Sequence, residues 1–279
     1  MDKYIFFDID GTLVSHGNRT VPESAKWAIE QARRSGNKCF LCTGRAHYMQ
    51  DGVENLEVDG VICSNGASAE IDGKRVLSRP IPSNLIHQLM KDCEECHVGY
   101  SLQGYDKGWM NQLNRDIFAR MNRTLPKAMQ EHFKNSRYFM RGQNDISTYQ
   151  SEDIYKVDVS FTEDSDMQKF SEHMDPQLNF IRMLSINRNM RDGGEITLKG
   201  VTKGTAAIAI TKQFGGKRED SYGFGDSLND LDLLKQCGTG IAMGNAVEEL
   251  KKSADFVTMD ILDDGIAWAM NYFHLTRQA

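Results

Sequence analysis

Tyr4-Ile5-Phe6-Phe7 is a continuous apolar run that ends on Asp8-Ile9-Asp10-Gly11-Thr12. This juncture constrains the fold more than any other feature of the chain. A short, uninterrupted apolar run reads as a strand buried on both faces, as in parallel sheets covered by helices. Open α/β sheets place their ligands at the carboxyl ends of such strands. Asp8 and Asp10 therefore stand where a ligand is expected. Carboxylates this close repel, so one keeps its proton at neutral pH unless a cation lies between them, and a hard divalent ion such as Mg²⁺ reverses that preference. Asp, Gly and Thr are also common turn formers, and the alternative reading of the segment by itself is a polar loop capping a helix.

Residues 1–82 alternate strand-like and helix-like segments, the pattern of a parallel sheet with crossover helices. Pro22 and Glu23-Ser24 open a helix over 23–35 with an apolar stripe of Ala25, Ala28, Ile29 and Ala32, and Gly36 stops it. A strand over 38–42 delivers Thr43, and a third, over 60–64, ends at Asn65-Gly66. From 83 to 190 the helices become more polar, and Tyr155–Phe161 alternates as a half-exposed antiparallel strand would. The α/β pattern returns with a helix over 203–214, a strand over 222–224, a helix over 228–236 and a strand over 240–243. The expected organisation is an α/β core made of 1–82 and 191–279, interrupted by an inserted domain over 83–190.

Three further patches stand at the ends of strand-like runs or at helix starts: Thr43-Gly44-Arg45, Lys203-Gly204, and Gly225-Asp226-Ser227-Leu228-Asn229-Asp230. With the first patch, these resemble in order the four motifs of the haloacid dehalogenase (HAD) superfamily of phosphohydrolases. Asn65-Gly66-Ala67 and Ala242-Met243-Gly244-Asn245-Ala246 resemble its Cof-type branch, subclass IIB, and the likeness runs on to Asp264-Gly265-Ile266-Ala267. The resemblance implies a Rossmann-like, doubly wound parallel sheet with an inserted α+β cap domain of C2 type that supplies substrate contacts.

The resemblance also implies roles. Asp8 is the nucleophile. Asp10 is the acid that protonates the leaving alkoxide and then the base that activates water, while its backbone carbonyl binds the metal. Asp226 completes a Mg²⁺ shell with Asp8, and Asp230, at i+4 on a helix, holds one of the metal's waters. Lys203 and the Thr43 hydroxyl meet the phosphoryl oxygens, the N–H groups of Ile9 and Gly44 cradle the anion, and Asn229 is a further phosphate contact. Arg45 either contacts substrate or pairs with a core carboxylate.

A net charge of −6 and a pI near 5.7 argue against a nucleic-acid binder. No signal-peptide pattern and no apolar run of about 20 residues occurs, which points to a cytoplasmic protein without a membrane partner. Cys39, Cys42 and Cys63 lie in apolar segments and read as buried, inert thiols. Cys93-Glu94-Glu95-Cys96-His97 has no second pair to complete a zinc site and falls in a helical pattern. Gly238–Gly244 follows a helix and overlaps a strand, the wrong context for a dinucleotide fingerprint. Residues 107–141 carry eight Lys or Arg against Asp116 and Glu131. Such a run is either a solvated helix face or a basic lid that draws in phosphorylated substrates.

The reading that follows is a Mg²⁺-dependent phosphatase of small phosphorylated metabolites, sugar phosphates foremost, with pyridoxal phosphate or flavin mononucleotide as other substrates. A phosphomutase of phosphomannomutase type is the nearest rival. A phosphoacceptor signalling module is the rival from another class, and the large insertion argues against it because such modules expose their aspartate to partner proteins.

Overall fold

The computed structural model describes residues 2–15, 20–183 and 192–276. The chain divides into two units: Met1–Gly44, Gly52–Ser78 and Gly200–Ala279 form the first, and Arg45–Asp51 with Arg79–Lys199 form the second. The insertion thus begins and ends several residues from the positions 83 and 190 read from sequence, and residue 190 lies outside the described residues. Arg45–Asp51, which directly follows the Thr43-Gly44 patch, packs with the second unit, because its Tyr48 and Met49 cluster with Tyr138.

The first unit holds an eight-stranded sheet. Its strands are β1 (Tyr4–Phe7), β2 (Lys38–Cys42), β3 (Gly60–Cys63), β4 (Ser68–Ile71), β5 (Lys74–Ser78), β12 (Ser221–Gly225), β13 (Thr239–Ala242) and β14 (Phe256–Val257), in the order β14-β13-β12-β1-β2-β3-β4-β5. β14 through β3 run parallel, and β1 sits centrally with all four residues buried. Phe6 stacks on Phe40 and Phe7 on Phe224, joining neighbouring strands at ring separations of 5.1 and 4.9 Å. Helices α1 (Glu23–Arg34), α7 (Lys203–Gln213), α8 (Leu231–Gln236), α9 (Glu248–Ser253) and α10 (Gly265–Tyr272) complete this unit.

Two features depart from the sequence reading. After β3 the chain folds back as the antiparallel hairpin β4–β5, turning at Asp72 and Gly73, both with positive φ. Asp-Gly at the two centre positions is the signal for such a turn. The helix expected over 228–236 is a 3₁₀ turn over Leu228–Asp230 followed by α8.

The second unit has a six-stranded sheet in the order β10-β11-β9-β6-β7-β8, made of β6 (Gly99–Gln103), β7 (Gly108–Met110), β8 (Asn144–Asp145), β9 (Lys156–Phe161), β10 (Leu178–Met183) and β11 (Asp192–Leu198). Its helices are α2 (Ser83–Glu95), α3 (Gln112–Thr124), α4 (Lys127–Asn135), α5 (Arg137–Gly142) and α6 (Met167–His173). Leu85, Ile86, Leu89 and Cys93 of α2 and Phe170 of α6 pack on Tyr100, Leu102, Val157, Val159 and Phe161. Strand β9 alternates as expected, yet its polar side is not open to water: Lys156 and Ser160 are buried. In the basic run, Lys107 pairs with Glu152 at 3.0 Å and Arg115 with Asp145 at 3.1 Å, while Arg120 and Arg123 are exposed.

All six cysteines are free and buried, Cys93 and Cys96 included, and burial pushes both of those thiols up. Among the described residues no helix is long and apolar enough to cross a membrane.

Candidate active site

Asp8 leaves the end of β1 directly beside the end of β12, because the two strands pair in parallel with Phe7 opposite Phe224. Its N–H donates to Phe224 O at 3.0 Å, and its side chain is buried. The next residues close a tight turn in which the N–H groups of Leu13 and Val14 donate to Ile9 O at 2.9 and 2.8 Å. Gly11 is required there twice over. Its φ is +90°, and a Cβ on it would lie 2.2 Å from Asp226 Oδ2. Thr12 Oγ1 donates to Asp226 Oδ1 at 2.9 Å, and Asn245 Nδ2 donates to Gly11 O at 2.7 Å. The turn is thereby fastened to β12 and to the loop after β13. Asp10 lies within it and is exposed.

Lys203 is the first residue of α7, whose start is set by a capping box between Thr202 and Thr205. Its side chain is wholly buried, and Nζ donates to Asp8 Oδ1 and Asp230 Oδ1, both at 2.6 Å, and to Asn229 Oδ1 at 3.4 Å. Burial works against the ammonium, but Asp230 and Asp8 together outweigh it and raise the Lys203 pKa. Burial also raises Asp8, with Asp230 and Asp226 adding to the effect and Lys203 opposing it.

Asp230 does more than sit one turn beyond Asp226. Its Oδ2 accepts from the backbone N–H of Asp226 at 3.0 Å and of Ser227 at 3.1 Å, so it folds the 3₁₀ turn that aims Asp226, while Oδ1 faces Lys203. The i+4 placement on a helix expected from sequence is replaced by this back-bonded turn. Asn229 Oδ1 accepts from Ser227 Oγ at 2.7 Å and from Lys203 Nζ, and its Nδ2 lies 3.5 Å from the point where a Cβ on Gly44 would stand. The amide N–H groups therefore face the Thr43-Gly44 loop.

That loop follows β2. Thr43 is buried, and its carbonyl accepts from Asn65 N–H at 3.1 Å. Asn65 holds φ +55°, a left-handed conformation that Asn tolerates better than most residues, and its Oδ1 crowds Gly44. Gly66, at φ +95°, passes so close to α7 that a Cβ would meet Thr202 O at 2.1 Å. The guanidinium of Arg45 donates to the carbonyls of Asp51 at 2.7 Å and Met49 at 3.3 Å within the second unit.

The first unit therefore brings together Asp8, Asp226, Asp230, Lys203 and Asn229, with Gly44 against Asn229. Sequence reasoning assigned no role to Thr12, Ser227 or Asn245. All three lie inside motifs that it had singled out, and for Thr12 and Ser227 a hydroxyl beside a carboxylate is the available signal.

Asp8, Asp226 and Asp230 each present a carboxylate oxygen within 4.8 Å of the others. Three buried carboxylates against one ammonium leave an excess of negative charge, and all the donors are hard oxygens. That donor set suits Mg²⁺.

The sequence profile of the haloacid dehalogenase-like hydrolases matches residues 5–270. Among curated relatives the chain is similar to the putative phosphatase YkrA of Bacillus subtilis strain 168, 27% identical over 285 residues that cover 99% of each chain. It is equally 27% identical, over 280 residues and 98% of each chain, to the pyridoxal phosphate phosphatase YbhA of Escherichia coli K12. Among solved structures, the HAD subclass IIB sugar phosphatase BT4131 superposes with a TM-score of 0.78 at 27% identity, covering 98% of this chain and 99% of the other.

Proposed function

Because the chain belongs to the haloacid dehalogenase-like hydrolases, we propose that it is a Mg²⁺-dependent phosphatase of small phosphorylated metabolites that works through an aspartyl-phosphate on Asp8. Sugar phosphates are the leading substrate class, by likeness to BT4131. The observation that carries the reading is the buried Lys203 ammonium, held 2.6 Å from both Asp8 and Asp230. It is a fixed positive charge where phosphoryl oxygens would need one, in surroundings that weaken screening.

Lys203 occupies Asp8 Oδ1, which leaves Oδ2 to attack phosphorus. As the Oδ2–P bond forms, the P–O ester bond breaks, and its electron pair goes to the leaving oxygen, which takes a proton from the Asp10 carboxyl. Asp10, now a carboxylate, removes a proton from water. The water oxygen attacks phosphorus, the Oδ2–P bond breaks, and phosphate leaves with Asp8 restored. Splitting the displacement in two suits an ester that water attacks extremely slowly. Asn229 Nδ2, the Thr43 hydroxyl and the N–H groups of Ile9 and Gly44 are the donors assigned to the phosphoryl oxygens. Asp8, Asp226 and the Asp10 carbonyl would hold Mg²⁺, which supplies charge neutralisation between carboxylate and phosphate when bound. Asp230 supports that group by fixing the Asp226 backbone.

The test is phosphate release from a metabolite panel by wild type and Asp8→Asn, each with Mg²⁺ and with excess chelator. Release that needs both Asp8 and Mg²⁺ is expected. Turnover by Asp8→Asn or in chelator refutes the mechanism, and an isomeric phosphate ester in place of free phosphate makes the enzyme a mutase.

A further inference from the structure

Most large apolar side chains of this protein are inside, and the exceptions are not scattered. Six of the ten exposed ones among the described residues are Val247, Val257, Met259, Leu262, Trp268 and Tyr272, so one stretch of the first unit has a face that the fold itself does not cover. Val257 lies on β14, the edge strand of the eight-stranded sheet, which pairs with β13 on one side only. Trp268 and Tyr272 of α10 stack on Phe256, the other residue of β14, at ring separations of 5.5 and 4.8 Å, and on each other at 5.4 Å. Met259 and Leu262 belong to the segment joining β14 to α10, and Val247 is the N-cap of α9, the helix before β14. Single exposed apolar residues are normal, whereas a cluster of them along an unpaired sheet edge marks an interaction surface.

The charges around this edge identify what covers it. Lys252 lies just before β14 and Asp263 just after it, at nearly equal distances along the chain. Both are exposed, and among the described residues neither has a hydrogen bond or an ion pair. Their neighbours are engaged: Lys251 pairs with Glu248 at 3.1 Å, Asp264 accepts from Ser24, and Asp260 accepts from the N–H of Leu262 at 2.9 Å. A spare cation ahead of the strand and a spare anion behind it are self-complementary. Laid antiparallel to a second copy of itself, the edge sets Lys252 of each copy toward Asp263 of the other, twice over. A parallel arrangement would set like charge against like. Self-complementarity of this kind is what a two-fold interface requires.

We propose that this edge is the surface on which two copies of the chain associate, β14 antiparallel to β14 across a two-fold axis. Val257, Trp268 and Tyr272 form its apolar centre, and Lys252–Asp263 pairs form its two rims, the usual arrangement of an apolar core inside a polar border. β14 is only two residues long, so ladder hydrogen bonds contribute little and burial of the aromatic and aliphatic groups carries the association. A polyanion is a poor occupant, because Asp255, Asp260, Asp263 and Asp264 outnumber Lys251 and Lys252 along the edge. The inference is independent of the phosphatase reading.

The test is sedimentation of the full chain over a range of concentrations. The wild type is expected at twice the 31.6 kDa of one chain, dissociating on dilution. Lys252→Glu and Asp263→Lys each turn two attractive rim pairs into two repulsive ones, and each should raise the dissociation constant about tenfold at low salt. Combined, the two reversals restore opposite charges, and the double variant should associate as the wild type does. A folding defect in either single variant would not be repaired by adding the other. Val257→Lys, which sets two ammonium groups near the axis, should leave single chains. A wild type that keeps the mass of one chain at every concentration overturns the proposal. So do dimers that the single reversals leave unchanged, or that the combined variant fails to restore, since the copies would then meet on another surface.

Discussion

Lys203→Met removes the ammonium that joins Asp8 to Asp230 and keeps a flexible apolar chain in its place. Both contacts are 2.6 Å, and the lysine side chain is fully buried, as is that of Asp230. Deleting one partner of a buried ion pair costs about 3–5 kcal/mol, because the other charge stays in a poorly solvating environment. Asp230 keeps its two backbone donors, so the loss falls chiefly on Asp8. For a chain of this size that corresponds to a melting temperature lowered by roughly 6–20 °C. Turnover should fall by about 10²–10³-fold, the usual cost of removing one preorganised electrostatic contact.

The pH dependence has a definite sign. Burial holds the Asp8 carboxyl above its ordinary range, and Lys203 opposes that shift, so the variant raises it further. A carboxyl with a higher pKa folded than unfolded binds more protons when folded, and stability declines as pH rises from the ordinary carboxylate range to the folded value. The penalty for Lys203→Met should therefore be small in acid and grow as pH rises above the ordinary carboxylate range. Mg²⁺ would meet Asp8 and Asp226 without competition from the ammonium, so it should stabilise the variant more than the wild type. Thermal melts at pH 5 and pH 8, each with chelator or Mg²⁺, check this. A variant that melts within a degree of wild type at pH 8 in chelator would refute the buried-pair argument.

What could be read from sequence follows the range of the forces involved. β1, β2 and β12 were legible because a strand covered on both faces must be apolar throughout, and each such run ends on the loop that carries Asp8, Thr43 or Asp226. β5 was missed because Lys74-Arg75-Val76-Leu77-Ser78, at the sheet edge, is mostly polar or exposed, although Asp72-Gly73 marked its turn. The two-fold duty of Asp230 was illegible because side-chain bonds to backbone N–H groups depend on the local dihedral angles, and these are those of a 3₁₀ turn. Strand β9 teaches a further distinction. Period-two alternation reports which side is polar, not which side is wet: Lys156 and Ser160 lie on the polar side and are buried. Attachment of Arg45–Asp51 to the second unit through Tyr48 and Met49 is a tertiary choice that no local pattern records.

Three further outcomes are expected. Asp10→Asn should cost far more with an alkyl phosphate than with p-nitrophenyl phosphate, whose phenolate departs without a proton; equal losses would remove Asp10 as the acid. Gly11→Ala places a Cβ 2.2 Å from Asp226 Oδ2 at φ +90°, and should raise the Mg²⁺ concentration for half activity about 10–100-fold, as loss of ligand support does; an unchanged Mg²⁺ titration would show that Asp226 has room to move. Gly66→Ala tests whether the position of α7 matters to chemistry. Its Cβ would meet the Thr202 carbonyl at 2.1 Å, a backbone atom that no rotamer change can withdraw, and Thr202 caps the helix that Lys203 begins. A displacement of the ammonium by about 1 Å is worth up to 10²-fold in turnover. Gly73→Ala is the matched control, for its φ is also positive, at +70°, but nothing lies within 4 Å of the added carbon. It therefore bears only the backbone strain of about 1–2 kcal/mol, far from the site. Should the two variants lose kcat equally, the loss would come from general destabilisation, and the close packing of Gly66 on α7 would have no part in holding Lys203 against Asp8.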